Sequence, residues 1–218
     1  ASLYYQYSTD VIQGVSIIEI RDDAPVSVRQ PLNLNKEQRY GFEFTSNYNP
    51  TKKIRLSASF NFFKFKTDEF TYAYTLQDGT QKTDKLDEVN ESSWFTRFNA
   101  RITLPGKIDW QTRLMYRGPQ INAQTNRSGM FMANLAFSKD ILKDKASLVL
   151  NVSDLLNSRK RESTTYFGGR ENPSIVSVGE FQWRERQISL SFTYRFNQKK
   201  KRERPQRNYD GGGEGFGG

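Results

Sequence analysis

The chain contains no cysteine and no histidine among its 218 residues. This absence excludes zinc sites of the usual Cys and His types, cysteine nucleophiles, and the dyads and triads in which His is the base. The carboxylates present form no matched acid pair either. We therefore expect no enzymatic activity, no catalytic or cofactor-binding residue and no metal site.

Long apolar runs are also missing. No stretch approaches the roughly 18 consecutive apolar residues of a transmembrane helix. Hydrophobic residues make up 35% of the chain and its mean hydropathy is −0.78. This is low for a soluble β-sandwich, which buries the inner faces of two sheets. It is typical of a transmembrane β-barrel, in which half of every strand is polar and the loops are long.

Alternating polarity is the strongest pattern present. In the run from Gln187 to Phe196, five apolar residues alternate with polar ones. Because successive side chains of a strand point to opposite sides, this predicts one apolar and one polar face. Seven other segments show the same pattern, which predicts an all-β antiparallel fold of eight strands: Leu3 to Ile12, Arg39 to Tyr48, Ile54 to Phe65, Trp94 to Leu104, Ile108 to Tyr116, Met130 to Phe137 and Ala146 to Ser153. In the first segment, Val11 falls on the same side as Leu3, Tyr5 and Tyr7.

The connections between these segments alternate in length. Short links span residues 49–53, 105–107 and 138–145, and long links, predicted as loops, span 13–38, 66–93, 117–129 and 154–180. In an antiparallel meander, all the short turns then lie at one end. Outer-membrane barrels have short periplasmic turns and long extracellular loops, so we expect the last strand to end on the periplasmic side.

Four stretches resemble the C-terminal part of a TonB-dependent receptor, of the outer-membrane β-barrel branch common in Bacteroidota. They are residues 40–44 with 47–52, residues 94–99 continuing to 103–105, residues 138–142 with 150–157, and residues 181–184 with 192–196. The segment from Asn151 to Asn157 is similar to the Asn-Leu-Phe-Asp type signature that precedes the last strand in these receptors.

The resemblance implies a 22-strand type of barrel, of which this chain supplies about eight C-terminal strands. The implied function is ligand uptake across the outer membrane of a Gram-negative bacterium. The implied partners are outer-membrane lipid, the receptor's own N-terminal strands and plug, and a TonB-type energiser acting through that plug. Since neither plug nor TonB box is recognised here, we expect the sequence to be part of a longer receptor.

Residues 197–218 are expected to form a basic, Gly-rich periplasmic tail after a barrel section at 1–196. The tail carries six cationic and three acidic residues. It is expected to contact anionic headgroups or an outer-membrane or periplasmic protein partner. A nucleic-acid role is disfavoured, because no recognition motif accompanies the charge. A structural subunit of an outer-membrane assembly or secretion complex is the alternative function.

Several positively charged residues fall on the predicted polar face. The lumen-facing candidates are Arg55, Arg97, Asn99, Arg101 and Arg113. They predict a cationic lumen that guides anionic cargo. Alternatively, they pair with Asp109, Glu43 or plug carboxylates and so fix the barrel wall. A self-contained eight-stranded barrel is disfavoured, because the inward residues are mostly small and polar, whereas such a barrel fills its interior with side chains.

Aromatic residues in the long links are candidates for cargo binding, namely Phe70, Tyr72, Tyr74, Tyr166 and Phe167. Packing between neighbouring loops is the alternative, and the alternation from Phe70 to Tyr74 is also compatible with a hairpin above the membrane. The nearby acids lack the ligand spacing of a calcium loop; they are Asp68, Glu69, Asp84, Asp87 and Glu88. At the end of the last strand, Phe192, Tyr194 and Phe196 are the candidate assembly signal.

Overall fold

The computed structural model describes residues 1–196 of the chain, which form fourteen β-strands. In chain order they are β1 (Ser2–Arg21), β2 (Ala24–Thr51), β3 (Ile54–Thr67), β4 (Phe70–Thr75), β5 (Gln81–Leu86), β6 (Val89–Leu104), β7 (Ile108–Arg117), β8 (Gln120–Ile121), β9 (Thr125–Arg127), β10 (Met130–Ile141), β11 (Ala146–Ser153), β12 (Lys160–Phe167), β13 (Ile175–Gln182) and β14 (Gln187–Tyr194). No helix long and apolar enough to cross a membrane occurs in this part of the chain.

Eight of the strands pair into one sheet, in the order β1-β2-β3-β6-β7-β10-β11-β14. All neighbouring pairs are antiparallel. Each strand corresponds to one of the eight segments predicted from alternation. β11 has the predicted bounds, and β14 ends at Tyr194, two residues before the predicted Phe196. The all-β antiparallel prediction is confirmed. β1 and β14 are the two edges of this sheet, so over residues 1–196 it is open and does not close into a barrel.

The count of eight strands was too low, because the predicted loops contain strands of their own. The link at 66–93 holds the two-stranded β4-β5 sheet. The links at 117–129 and 154–180 together form a four-stranded sheet, in the order β13-β12-β9-β8, called the loop sheet below. As predicted, the short turns lie at one end of the large sheet, called the short-turn end. The longer connections lie at the opposite, long-loop end.

The predicted loop at 13–38 is also wrong, because β1 and β2 continue as one long hairpin. Its tip is the pair Asp22 and Asp23, with φ of 49° and 60°, the combination found in two-residue hairpin turns. Pro25 and Pro31 fit into this part of β2 because it extends beyond the end of β3 and pairs with β1 alone. A strand that has a free edge tolerates the missing N–H of proline.

A change of face within β1 corrects the placement of Val11. Asp10 has a φ of 53°, which interrupts the two-residue alternation of the strand. Beyond it, Val11 and Gln13 line a cavity together with polar-face residues of β2 and β3. Val11 therefore lies on the face opposite to that of Leu3 and Tyr5, which are exposed.

The buried core lies at the long-loop end of the molecule. Val15 and Ile17 of the β1-β2 hairpin pack with Tyr72 and Leu86 of the β4-β5 sheet. Val89 of β6 and Ala123 of the loop between β8 and β9 complete the cluster. The core therefore joins the loops to the hairpin and does not extend under the middle of the large sheet.

The opposite, apolar face of the large sheet carries aromatic residues toward both ends. Toward the long-loop end, Phe42, Phe60, Trp94 and Tyr116 form a row whose successive ring centroids are 6.3, 6.1 and 4.2 Å apart. Toward the short-turn end, Trp110 stacks on Phe137 at 6.3 Å. The strip between the two groups of rings holds the smaller residues Ala58, Ala100, Ala133 and Leu114, together with one more ring, that of Phe98.

Candidate functional site on the polar face

The polar face of the large sheet forms a groove with a volume of about 570 Å³. Residues directly opposite each other on paired strands share a face. One row across the groove runs Ser57, Asn99, Arg113, and the next contains Arg55 and Arg101. Four of the five predicted lumen-facing residues therefore come together in one groove.

Hydrogen bonds link part of this wall. Arg113 Nε donates to Asn99 Oδ1 at 3.2 Å, and Asn99 Nδ2 donates to Ser57 Oγ at 3.2 Å. Arg101 forms an ion pair with Asp109 at 2.7 Å, and Asp109 is one of the partners that the wall-fixing interpretation names for these arginines.

Three of the arginines on this face have no such carboxylate partner. Among residues 1–196, Arg55, Arg97 and Arg113 take part in no ion pair. Arg97 lies above the groove, with its guanidinium carbon 5.4 Å from the centre of the Phe95 ring. Glu43, the other carboxylate considered, instead accepts a hydrogen bond from Asn61 Nδ2 at 2.6 Å. The polar face thus carries exposed positive charge without a matching acid.

The loop aromatics lie in the packed region at the long-loop end. Tyr72 and Phe167 are each only 5% exposed, so neither ring is accessible to a ligand in this arrangement. Phe70 and Tyr74 are half-buried against the core, and Tyr166 is half-buried as well. Packing between neighbouring loops, the alternative interpretation, accounts for these positions.

Tyr74 also has a polar contact within the β4-β5 sheet. Its hydroxyl donates to Asp84 Oδ2 at 3.0 Å. Burial, together with the hydrogen bond to Asp84, raises the pKa of Tyr74 to about 12. Burial likewise raises the pKa of Tyr72 above its ordinary value. Both phenols therefore favour the neutral form in the folded hairpin.

Gln124 connects the loop sheet to β1. Its side chain is almost fully buried, with 4% of the residue exposed. Oε1 accepts from the backbone N–H of Ser16 at 2.8 Å, and Nε2 donates to the backbone carbonyl of Ser16 at 3.0 Å. The backbone carbonyl of Gln124 accepts from Tyr166 N at 2.8 Å. One residue therefore ties β12 and the β8-β9 loop to the long hairpin.

Arg170 is a second anchor of the loops. Its guanidinium donates to the backbone carbonyls of Ala123 and Asn122 and lies 6.0 Å from the centre of the Tyr166 ring. Its backbone N–H donates to Asp87 Oδ2 at 2.7 Å. Burial lowers the pKa of Arg170 from its ordinary value.

Four of the five acids considered for calcium have protein partners. Glu69 pairs with Lys85 at 2.7 Å, and Glu88 pairs with Lys66 at 3.4 Å. Asp84 and Asp87 accept the hydrogen bonds described above. Within the described residues, no group of three or more acids is arranged to hold a metal ion.

Sequence reasoning missed a second group of arginines at the long-loop end. Arg117 at the end of β7, Arg127 on β9 and Arg161 on β12 line one pocket. The alternation pattern could not find them, because β8 and β9 contain only two and three residues. Only the tertiary pairing of the loop sheet brings these arginines together.

The candidate assembly residues lie at the short-turn end of β14. Phe192 and Tyr194 pair with Leu148 and Ala146 of β11. All three candidates are exposed, with Phe196 at 80%, and the rings of Tyr194 and Phe196 are 6.4 Å apart. The predicted tail at 197–218 lies outside the described residues.

Comparison with protein families gives a match over nearly the whole described chain. The model of the outer membrane protein beta-barrel family matches residues 1–194. This range includes all fourteen strands described above. No curated protein and no solved structure matches the chain.

Proposed function

The chain belongs to the outer membrane protein beta-barrel family, and on that basis we propose that it forms part of the wall of a TonB-dependent receptor, of the type common in Bacteroidota. Membership of the family implies location in the outer membrane. The proposed role is non-enzymatic: the barrel encloses a path for ligand uptake, and a TonB-type energiser acts through a plug supplied by the rest of the receptor. The observation that carries this proposal is the polar groove with its unpaired arginines.

The apolar face supports contact with lipid. Tyr116 and Trp110 lie six residues apart on β7, which is about 20 Å along a strand. Because the strands of an outer-membrane barrel tilt by ~35–45°, this separation projects to about 15 Å along the membrane normal, and both rings fit within its apolar band of ~25 Å and the aromatic girdles beside it. In this orientation the short-turn end, with Phe196, is periplasmic and the loop sheet is extracellular.

The open edges support a larger barrel. In a bilayer the backbone groups of every edge strand need hydrogen-bond partners, and β1 and β14 each have one free edge among the described residues. Closing these eight strands alone would make a small barrel, whose interior is filled by side chains. The groove of about 570 Å³ lined by polar residues is better suited to a wide lumen, so we propose that further strands of the receptor complete a barrel of the 22-strand type.

Deletion of the gene in its host tests the transport proposal. Growth is measured on a panel of single carbon, phosphate and iron sources, beside a strain that lacks the TonB-type energiser. We expect a defect on at least one nutrient that the energiser mutant shares. Normal growth on every nutrient, together with loss of a co-purifying outer-membrane complex, would instead support the structural-subunit alternative.

Charge neutralisation tests the role of the groove on the nutrient so identified. Arg97→Gln with Arg113→Gln removes two unpaired charges, and Lys107→Gln with Lys143→Gln removes two charges from short turns as a matched control. We expect about tenfold slower uptake of an anionic nutrient in the groove variant alone. Lower thermal stability with unchanged uptake per folded molecule would assign these arginines to wall structure.

A further inference from the structure

A small pocket lies where the end of β7 meets the loop sheet. Arg117, Arg127 and Arg161 line it together with Gln120 and Ser128. Three arginines and two neutral polar residues therefore border one space of about 20 Å³. That space holds about one water molecule, so a larger ligand would contact its open rim. None of these residues belongs to the groove described above.

The strand pairing explains why these residues meet. Arg127 lies opposite Gln120 on one side and opposite Ser163 on the other. Arg161 precedes Ser163 by two residues on β12 and therefore lies on the same face of the loop sheet. It is a diagonal neighbour of Arg127, and such neighbours are about 7–8 Å apart. Arg117 lies opposite Phe95 and thus on the polar face of the large sheet.

Backbone hydrogen bonds hold the pocket walls in place. Gly118 N, next to Arg117, donates to the carbonyl of Trp94 at 2.7 Å. Ser128 N, next to Arg127, donates to the carbonyl of Glu162 at 3.0 Å. The two walls are therefore fixed to neighbouring strands, which is the preorganisation that a binding site requires.

The charge of this pocket is not compensated by the part of the chain that the structure describes. Arg117, Arg127 and Arg161 are in no ion pair there. Arg170, on the same loops, shows the opposite arrangement, because backbone carbonyls accept its hydrogen bonds. Burial and the nearby charges of Arg161 and Arg29 lower the pKa of Arg127. Arg117 and Arg161 are exposed and Arg127 is half-buried. Water therefore screens part of the repulsion among the three charges, and an anion bound between them would relieve the rest.

We propose that Arg117, Arg127 and Arg161 bind a multivalent oxyanion of the phosphate or polycarboxylate type. The fork of an arginine matches the paired oxygens of such anions, and Gln120 and Ser128 add neutral hydrogen-bond donors. Because Arg117 lies on the polar face of the large sheet, the anion arrives from water and not from lipid. That the pocket is the first contact of an anionic cargo rests on the proposed uptake function. That the pocket binds an anion does not depend on it.

Thermal unfolding of the full-length receptor, purified in a neutral detergent, tests the site. Inorganic phosphate or citrate is added at constant ionic strength against chloride. We expect both anions to raise the unfolding temperature of the wild type in a saturable way. Arg127→Gln with Arg161→Gln should bind phosphate about thirtyfold more weakly by calorimetry.

Two further variants make the outcome decisive. Arg159→Gln with Arg184→Gln removes the same charge from exposed positions of the same connection and should bind like the wild type. Arg127→Lys with Arg161→Lys keeps the charge but loses the fork, and should fold normally and bind more weakly. Equal stabilisation by chloride and phosphate in the wild type, or equal loss of binding in the control, would overturn the site. Normal phosphate binding by a protein without any uptake role would overturn only the proposed function.

Discussion

Asp10 divides β1 into two parts that use opposite faces. Below it, exposed residues such as Leu3 and Tyr5 belong to the apolar face, and beyond it Val15 and Ile17 turn into the core. Its φ of 53° lies in the left-handed region, which Asp and Asn tolerate better than other residues with a side chain. The residue therefore lets one continuous hairpin serve first as a barrel wall and then as support for the loops.

We predict that Asp10→Val destabilises the protein by about 1–2 kcal/mol, because a side chain branched at Cβ is strained in the left-handed region. Asp10→Gly should retain wild-type stability, since glycine adopts this conformation readily. The free energy of unfolding in urea, measured on the full-length protein in detergent, distinguishes them. Equal destabilisation by both substitutions would mean that the carboxylate, and not the backbone conformation, matters at this position.

Tyr74 gives the β4-β5 sheet a pH dependence. Its pKa in the folded protein is about 12, above the value of about 10 for an unfolded chain. The folded hairpin therefore prefers the neutral phenol, and its contribution to stability is complete below pH ~10 and is lost as the pH rises through the folded pKa. We expect proteolytic cleavage within 66–93 to increase over that range.

Asp84→Asn tests whether the carboxylate of Asp84 contributes to the raised pKa of Tyr74. Without the carboxylate, the pKa of Tyr74 in the folded protein should move back toward its ordinary value. The loss of stability above pH ~10, and the rise in cleavage that accompanies it, should then be smaller. Tyrosinate absorbance, compared with that of Tyr74→Phe, isolates the titration of this one phenol. Titration of Tyr74 at the same pH with and without Asp84 would contradict the assignment.

At the scale of elements, alternation located the membrane-facing strands because one physical rule applies along their whole length. It gave the bounds of β11 without error, fell short at one end of β3, β6, β7 and β10, and ran two residues beyond the end of β14. The rule fails in β1 and β2 beyond Asp10, where the apolar face changes sides. It also fails in the loop sheet, where β9 pairs with β12 across nearly 40 residues of sequence.

The same difference between regular strands and paired loops determines which residues of the candidate site could be predicted. Arg55, Asn99, Arg101 and Arg113 were found because their strand positions determine their face. The pocket around Arg127 depends on pairings between loops, for which two- and three-residue strands leave no pattern. Gln124 could not be found either, since a single buried amide has no periodic signal.

Gln124→Leu is predicted to loosen the loops. The substitution leaves the backbone N–H and carbonyl of Ser16 without the partners they now have at 2.8 and 3.0 Å. An unsatisfied buried group costs about 1–3 kcal/mol, so we expect that loss in unfolding free energy and faster proteolysis within 154–180. Gln77→Leu, at an exposed position of a turn, is the control. Unchanged protection of the loops in Gln124→Leu would show that the apolar core alone holds them.

At the scale of the whole molecule, the two free sheet edges determine how this chain is completed. The loops are packed into one body at the long-loop end, whereas β1 and β14 remain unpaired on one side. A barrel of eight strands would bring these edges together. A larger barrel, as proposed above, would keep them apart, with further strands between them.

Cysteine cross-linking distinguishes these two arrangements. Because this chain contains no cysteine, the cross-linker reacts only with the thiols introduced into it. In a full-length receptor freed of other cysteines, Gln6→Cys on β1 is combined in turn with Ser189→Cys and Ser191→Cys on β14, all at polar-face positions. Asn151→Cys with Ser189→Cys is the positive control, because these residues lie opposite each other on β11 and β14. We expect a short bifunctional maleimide to link the control pair and neither test pair. Linkage between β1 and β14 would show that the eight strands close on themselves, in which case the groove would be the interior of a small barrel and could not accommodate a plug.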